Sequence, residues 1–236
     1  MGFLTKYTND FVLTVGRAAW IKPENLPATG NIDALMGIAV RLPGLLELVD
    51  YNTSGNGCTG EGNGILSRLF SLDKDFCDWL AAYHQTTGDR CAYTAVRSID
   101  NCGATGASLR FSSFLSFNIH SLYWMCQVLL HAAITQLIAS QSVEDLVAES
   151  SVRSANQYAR LLRQGVGFAL QAASGNIARA TAVRLPLHVL RFWYERSRQS
   201  GPESECAEVE ESIRRSVPAL QWDALLPWAF IPLITR

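Results

Sequence analysis

Three aspartates, Asp73, Asp75 and Asp78, stand close together as D-x-D-x-x-D. Carboxylates grouped on one helix can hold magnesium and, through it, a diphosphate. Adjacent paired acids are missing, however, and helical geometry puts Asp75 and Asp78 on a solvent side, which reads as a hydrated face. Asp73 points to a helix edge or to a partner. Gly55, Gly57 and Gly60 satisfy G-x-G-x-x-G, a pattern that lets backbone approach a pyrophosphate when it joins a strand to a helix. Here a helical pattern precedes it and the surroundings are glycine-dense, so composition accounts for the match. The four histidines are His84, His120, His131 and His188. His120 and His131 are separated by about 16 Å of helical rise and cannot share a metal within one helix. Neither G-x-S-x-G nor H-E-x-x-H occurs. The histidines read as core or boundary residues with satisfied polar tips. No residue is assigned a catalytic, cofactor-binding or metal-binding role, and a chain that is not an enzyme and carries no cofactor is expected.

Composition narrows the classes further. With 236 residues, 48% of them hydrophobic, the chain can bury a sizeable core. A formal net charge of −1 provides no basic field for phosphate, so direct nucleic-acid binding is not expected. The six cysteines (Cys58, Cys77, Cys91, Cys102, Cys126, Cys206) never approach C-x-x-C spacing. They read as reduced structural thiols, neither a zinc module nor a disulfide framework. The opening MGFLTKYTNDFVL has no basic patch followed by a continuous apolar run, and Lys6 replaces the Ser or Thr of a myristoylation signal. An intracellular chain without a membrane anchor is expected, in which the acceptor Asn52-Thr53-Ser54 has no consequence.

Any side chain with a role must be positioned by helices. The strongest is 116–140, with Ile119, Leu122, Tyr123, Cys126, Leu129, Leu130, Ala133 and Leu137 on one face and a polar stripe of His120, Gln127, His131 and Thr135 opposite. It is long and apolar enough to cross a bilayer, but that stripe favours a core helix. Further helices are predicted over 2–19; from Asn31 as a cap, broken or kinked at Leu42-Pro43-Gly44 and resumed to Asp50; from Ile65 to His84; from about Ser151 to Ser174; over 177–199 around Pro186; and over 203–217. Flexible loops are expected at about 52–64 and 86–110, with a sub-division near 141–150. The apolar tail LQWDALLPWAFIPLITR is expected to pack on the body or to form a contact surface. No comparable β pattern is seen. The expectation is one all-α domain over 1–236, an irregular multi-helix bundle or superhelical array around the central helix.

The order of these elements carries a resemblance. Leu42-Pro43-Gly44-Leu45-Leu46-Glu47-Leu48-Val49-Asp50 comes first, then Leu66 to Trp79 running into WLAAYH, then Leu122-Tyr123-Trp124 through Leu129-Leu130-His131. Ala155-Asn156-Gln157-Tyr158, Gly175-Asn176 and Arg184-Leu185-Pro186-Leu187-His188-Val189-Leu190 follow. As an ordered set over roughly residues 35–220, this resembles the middle and C-terminal regulatory region of fungal Zn2Cys6 (binuclear zinc cluster) transcription factors. The six clustered zinc-binding cysteines and basic linker of that family have no counterpart here. The resemblance implies a nuclear regulatory or effector domain acting through protein partners, self-association or a small-molecule signal. It also implies a connection with fungal secondary-metabolite gene clusters. A helical enzyme of isoprenoid-synthase type, and a scaffold or oligomerisation protein outside transcription, are the alternatives.

Overall fold

A computed structural model describes residues 30–54, 62–87, 93–99, 105–141, 145–173 and 177–197. The elements are α1 (Gly30–Ala39), α2 (Leu42–Thr53), α3 (Gly62–Thr87), β1 (Tyr93–Ile99), β2 (Thr105–Phe111), α4 (Phe114–Gln141), α5 (Asp145–Ala173) and α6 (Ile177–Ser197). The fold is all-α, with one small antiparallel hairpin among the described residues. The helices expected at 2–19 and 203–217, the apolar tail, the glycine motif at 55–60 and Cys58, Cys91, Cys102 and Cys206 lie outside the described residues.

Proline chemistry sets the first break. Pro43 sits at the start of α2, where its missing N–H costs nothing, and its ring discourages helix just upstream. Val40 and Arg41 therefore turn, with their N–H groups donating to Met36 O at 3.0 Å and Ile38 O at 3.1 Å. The break falls slightly ahead of the expected Leu42-Pro43-Gly44. Asn31 lies inside α1 and is not its cap. The loop expected at 52–64 is shorter at both ends: α2 runs to Thr53, and α3 opens at Gly62. Thr53 Oγ1 donates to Val49 O (2.9 Å) and Ser54 Oγ to Asp50 O (2.6 Å), reinforcing the last turn of α2, where the Ser54 N–H also donates to Asp50 O at 3.1 Å.

The loop expected at 86–110 is corrected by the hairpin, in which Tyr93 pairs with Phe111 and Ile99 with Thr105. Alternation explains its placement. Leu109 and Phe111 are buried while Arg110 between them is exposed, so one face packs on the helices. Those strands are short and rich in Gly, Ser, Thr and Ala, which hides the period from a reading of the chain. Helix α5 begins at Asp145, not at about Ser151. Acidic residues suit a helix N-terminus. Glu149 also pairs with Arg153 one turn on, at 3.3 Å. Buried residues on both sides of 142–144 join one hydrophobic cluster.

Helix α4 is the axis. Twelve consecutive residues, Tyr123 to Ile134, are all buried, which covers every direction around the helix. The polar stripe opposite the apolar face is enclosed as well: His120 (1% exposed), Gln127 (0%) and His131 (7%) point into the protein. By length and composition α4 could cross a membrane, but 78% of its most apolar window is buried against other parts of this chain. Helices α2, α3, α5 and α6 and strand β2 all pack on it.

Small residues bring α5 close. Ala155, Ala159, Leu162, Val166 and Ala169 form its buried face at helical spacing. On the same helix, a Cβ at Gly165 would lie 3.3 Å from Trp124 Cζ3 and 3.4 Å from the Phe111 ring, so this glycine admits those rings. Gly167 has nothing within 4 Å of its Cβ position. Helix α6 carries Pro186 inside it and buries Val183, Leu187, Leu190, Phe192 and Trp193. Trp193 Nε1 donates to Asn156 Oδ1 at 2.8 Å and ties α6 to α5. Across the core, Gln136 Nε2 donates to Thr53 Oγ1 at 2.7 Å and ties α4 to α2.

Two predictions follow from this packing. Leu129→Ala or Leu130→Ala, each at a fully buried site, should cost about 2–5 kcal/mol in a urea melt; a loss below about 1 kcal/mol would contradict the enclosure of α4. The two glycines should separate: Gly165→Leu destabilises by about 1–3 kcal/mol through overpacking, whereas Gly167→Ala stabilises by about 0.5–1 kcal/mol. Equal effects on the melting temperature would contradict the close approach at Gly165.

Candidate functional site

Polar groups inside an apolar core cost free energy unless they are paired. Those on α4 fall into two clusters. The first surrounds His120. Its Nδ1 lies 2.8 Å from Ser116 O one turn back. Because a carbonyl only accepts, Nδ1 carries the proton and Nε2 presents a lone pair. That Nε2 is buried and has no hydrogen-bond partner. Aromatic rings enclose the imidazole: Tyr93 at 5.2 Å, Tyr83 and Trp124 at 5.6 Å and Phe111 at 5.9 Å between centroids, with His84 at 6.3 Å. The hairpin supplies two of these rings, so the segment expected to be a loop closes this end of α4.

The second cluster lies further along α4, between α3 and α5. Tyr123, Gln127 and His131 recur every four residues on α4, and Asp73 and Cys77 do so on α3. Gln127 Nε2 donates to Tyr123 Oη at 3.2 Å, and Tyr123 Oη is 3.5 Å from Tyr158 Oη of α5. The Tyr158 ring lies nearly parallel to the His131 imidazole, 10° between planes and 6.0 Å between centroids. His131 Nε2 faces Asp73 Oδ1 at 3.7 Å. We assign the ring proton to Nε2, the nitrogen that faces a carboxylate, which leaves Nδ1 as an acceptor. Asp73 Oδ1, Gln127 Oε1 and His131 Nδ1 are buried without hydrogen-bond partners. The seam reaches solvent at Asp73, whose side chain is 27% exposed, and at Cys77.

Electrostatics limit what either cluster can do. Burial, above all, holds both imidazoles below their ordinary value; Ser116 O opposes it at His120 and Asp73 opposes it at His131. Burial raises the Tyr123 and Tyr158 phenols. Burial followed by the Asp73 charge raises the Cys77 thiol, a hydrogen bond to Tyr123 pulling the other way. A thiol held up in this way is not an activated nucleophile. Buried Cys126 is pushed up as well.

The sequence-flagged acids part company in the fold. Asp73 turns inward to His131, Asp75 pairs with Arg41 of the α1–α2 turn, and Asp78 pairs with Lys74. They form no common magnesium site, and among the described residues no three His, Cys, Asp or Glu side chains are grouped to hold a metal ion. His120 and His131 belong to different clusters. From the sequence alone Cys77 reads as a structural thiol and Tyr123 as part of an apolar face, and Tyr158 carries no site role. The i, i+4 recurrence of polar residues on α3 and α4 was the available signal. Family models, curated proteins and solved structures contain no match to this chain.

Both depressed imidazoles make a prediction about pH. Below about pH 6.5 the unfolded chain takes up protons that buried His120 and His131 refuse, so stability present above that value is lost as pH falls toward their folded values. The melting temperature should drop between about pH 7.5 and about pH 5, and His120→Phe should shrink that drop. An undiminished drop in the variant would show that His120 is not held neutral by burial.

Proposed function

We propose that this chain is a non-enzymatic helical regulatory domain, similar in role to the effector region of fungal zinc-cluster transcription factors. It acts in the nucleus on partner proteins, in response to a small molecule taken up at the α3–α4–α5 seam. The observation that carries the reading is the cluster of buried acceptors at Asp73, Gln127 and His131, set among aromatic rings and open at one edge. Recognition sites are built this way, with an apolar enclosure and a few directed polar atoms. Turnover would need an activated nucleophile or a base poised near neutrality. The raised Cys77 thiol and the lowered, enclosed histidines favour binding over chemistry. Control of a secondary-metabolite gene cluster belongs to the same reading and rests on the sequence resemblance.

The test is to tether the full chain to a heterologous DNA-binding domain in fungal cells. Reporter transcription should differ from that of the DNA-binding domain alone, and the untethered chain, fluorescently tagged, should concentrate in the nucleus. An expressed, folded fusion that leaves transcription unchanged would overturn the regulatory role. Purified chain should retain neither stoichiometric zinc nor DNA; sequence-selective DNA binding with bound zinc would show that the chain carries its own reader.

A further inference from the structure

We propose that the β1–β2 hairpin is an acid-released cover over His120, one that lifts from the end of α4 while the helices beneath it stay assembled. The geometry around the imidazole carries the inference. His120 Nδ1 donates to Ser116 O, and its buried Nε2 has no hydrogen-bond partner. A protonated imidazole has a second N–H to place, and no acceptor among the described residues is within reach of it. The titratable neighbours do not help. Helix α3 brings Tyr83, whose phenol is engaged with Ser116, and His84, whose charge would repel a second one. Strand β1 brings the Tyr93 phenol. Strand β2 faces the imidazole with Phe111, Arg110 being exposed, and α5 packs beside that ring with Gly165 and Phe168. No carboxylate of the described residues bears on His120. His131 is the counter-case on the same helix: its Nε2 faces Asp73 at 3.7 Å, so a proton there gains a counter-ion. Ring faces attract cations, but less than a buried charge loses in hydration.

Water can reach His120 if helices part or if the hairpin lifts. Lifting the hairpin breaks less. Strand β1 sends the Tyr93 ring to the helical body while Thr94, Ala95 and Val96 are exposed, and β2 buries Leu109 and Phe111. Opening of a small unit costs less than opening of the core, and this unit takes two of the rings around His120 with it. Once uncovered, the imidazole returns to its ordinary value of about 6.5; under the cover, burial holds it lower. Closure is therefore at full strength above about pH 6.5 and weakens as pH falls toward the covered value. Release bares the faces of Phe117, Trp124 and Phe168 against which Phe111 now packs.

Hydrogen exchange of the purified full chain between pH 7.5 and pH 5.5, expressed as protection factors corrected for the intrinsic rate, tests the cover. Amides of Tyr93–Ile99 and Thr105–Phe111 should lose roughly tenfold in protection over about two pH units, as release of one buried histidine requires. Those of α4 from Leu129 to Leu137 should keep theirs. In His120→Phe, which retains a ring without a titrating nitrogen, the strands should hold their protection at the lower pH. Strands that stay protected in the natural chain, loss of protection in α4 and the strands together, or an unchanged loss in His120→Phe would each overturn the proposal. The first two outcomes are read without any variant, so the test stands even where His120→Phe does not fold.

Discussion

The enclosure of α4 on all sides is the constraint to which the rest of the structure answers. A helix buried around its whole circumference needs neighbours in every direction, and α2, α3, α5, α6 and the hairpin provide them. Its polar residues cannot look to water, so each must be matched by a group that another element brings. Gln136 finds Thr53 and Asp50, and Gln127 finds Tyr123. Buried atoms on Asp73, His120, Ser121, Gln127, His131, Gln136 and Gln141 are left without a hydrogen-bond partner, the cost of placing polar groups in so enclosed a core.

Helix–helix approach follows from side-chain size. Alanines along the inner face of α5, with Gly165 beneath Trp124 and Phe111, let its backbone come near α4. That proximity places Tyr158 against His131 and within reach of Tyr123. Larger residues at these positions would hold α5 further out and separate the seam's third wall from the other two. A face of small residues, which reads as simple packing, thus sets the geometry of the polar cluster.

Much of this was legible in the sequence, for physical reasons. The long uninterrupted periodicity of α4, the proline-imposed break before α2, the strong amphipathic pattern of α3 and the helix around Pro186 are local signals, and local signals survive in a single chain. The hairpin was missed because its strands are short, weakly hydrophobic and flanked by glycine, so tertiary packing of Tyr93, Leu109 and Phe111 decides its state. His120 and His131 are core residues as expected, but their tips are not satisfied: Nε2 of the first and Nδ1 of the second lack hydrogen-bond partners. Periodicity locates these residues on one side of a helix, but whether that side meets water depends on α3, α5 and the hairpin. The pairing of Asp73 with His131 crosses 58 residues, the difference between their positions in the chain, and no spacing rule reports it.

A two-stranded ribbon standing alone in water is marginal. The β1–β2 ribbon is held down by the rings of Tyr93 and Phe111, which lodge around His120, Trp124 and Phe168. Its order is therefore borrowed from the interior and not intrinsic to the strands. Thermodynamically, the ribbon is a surface gauge of the aromatic core: whatever loosens the packing around α4 withdraws the support on which the strand pairing depends, and whatever tightens that packing is returned as order at the exterior.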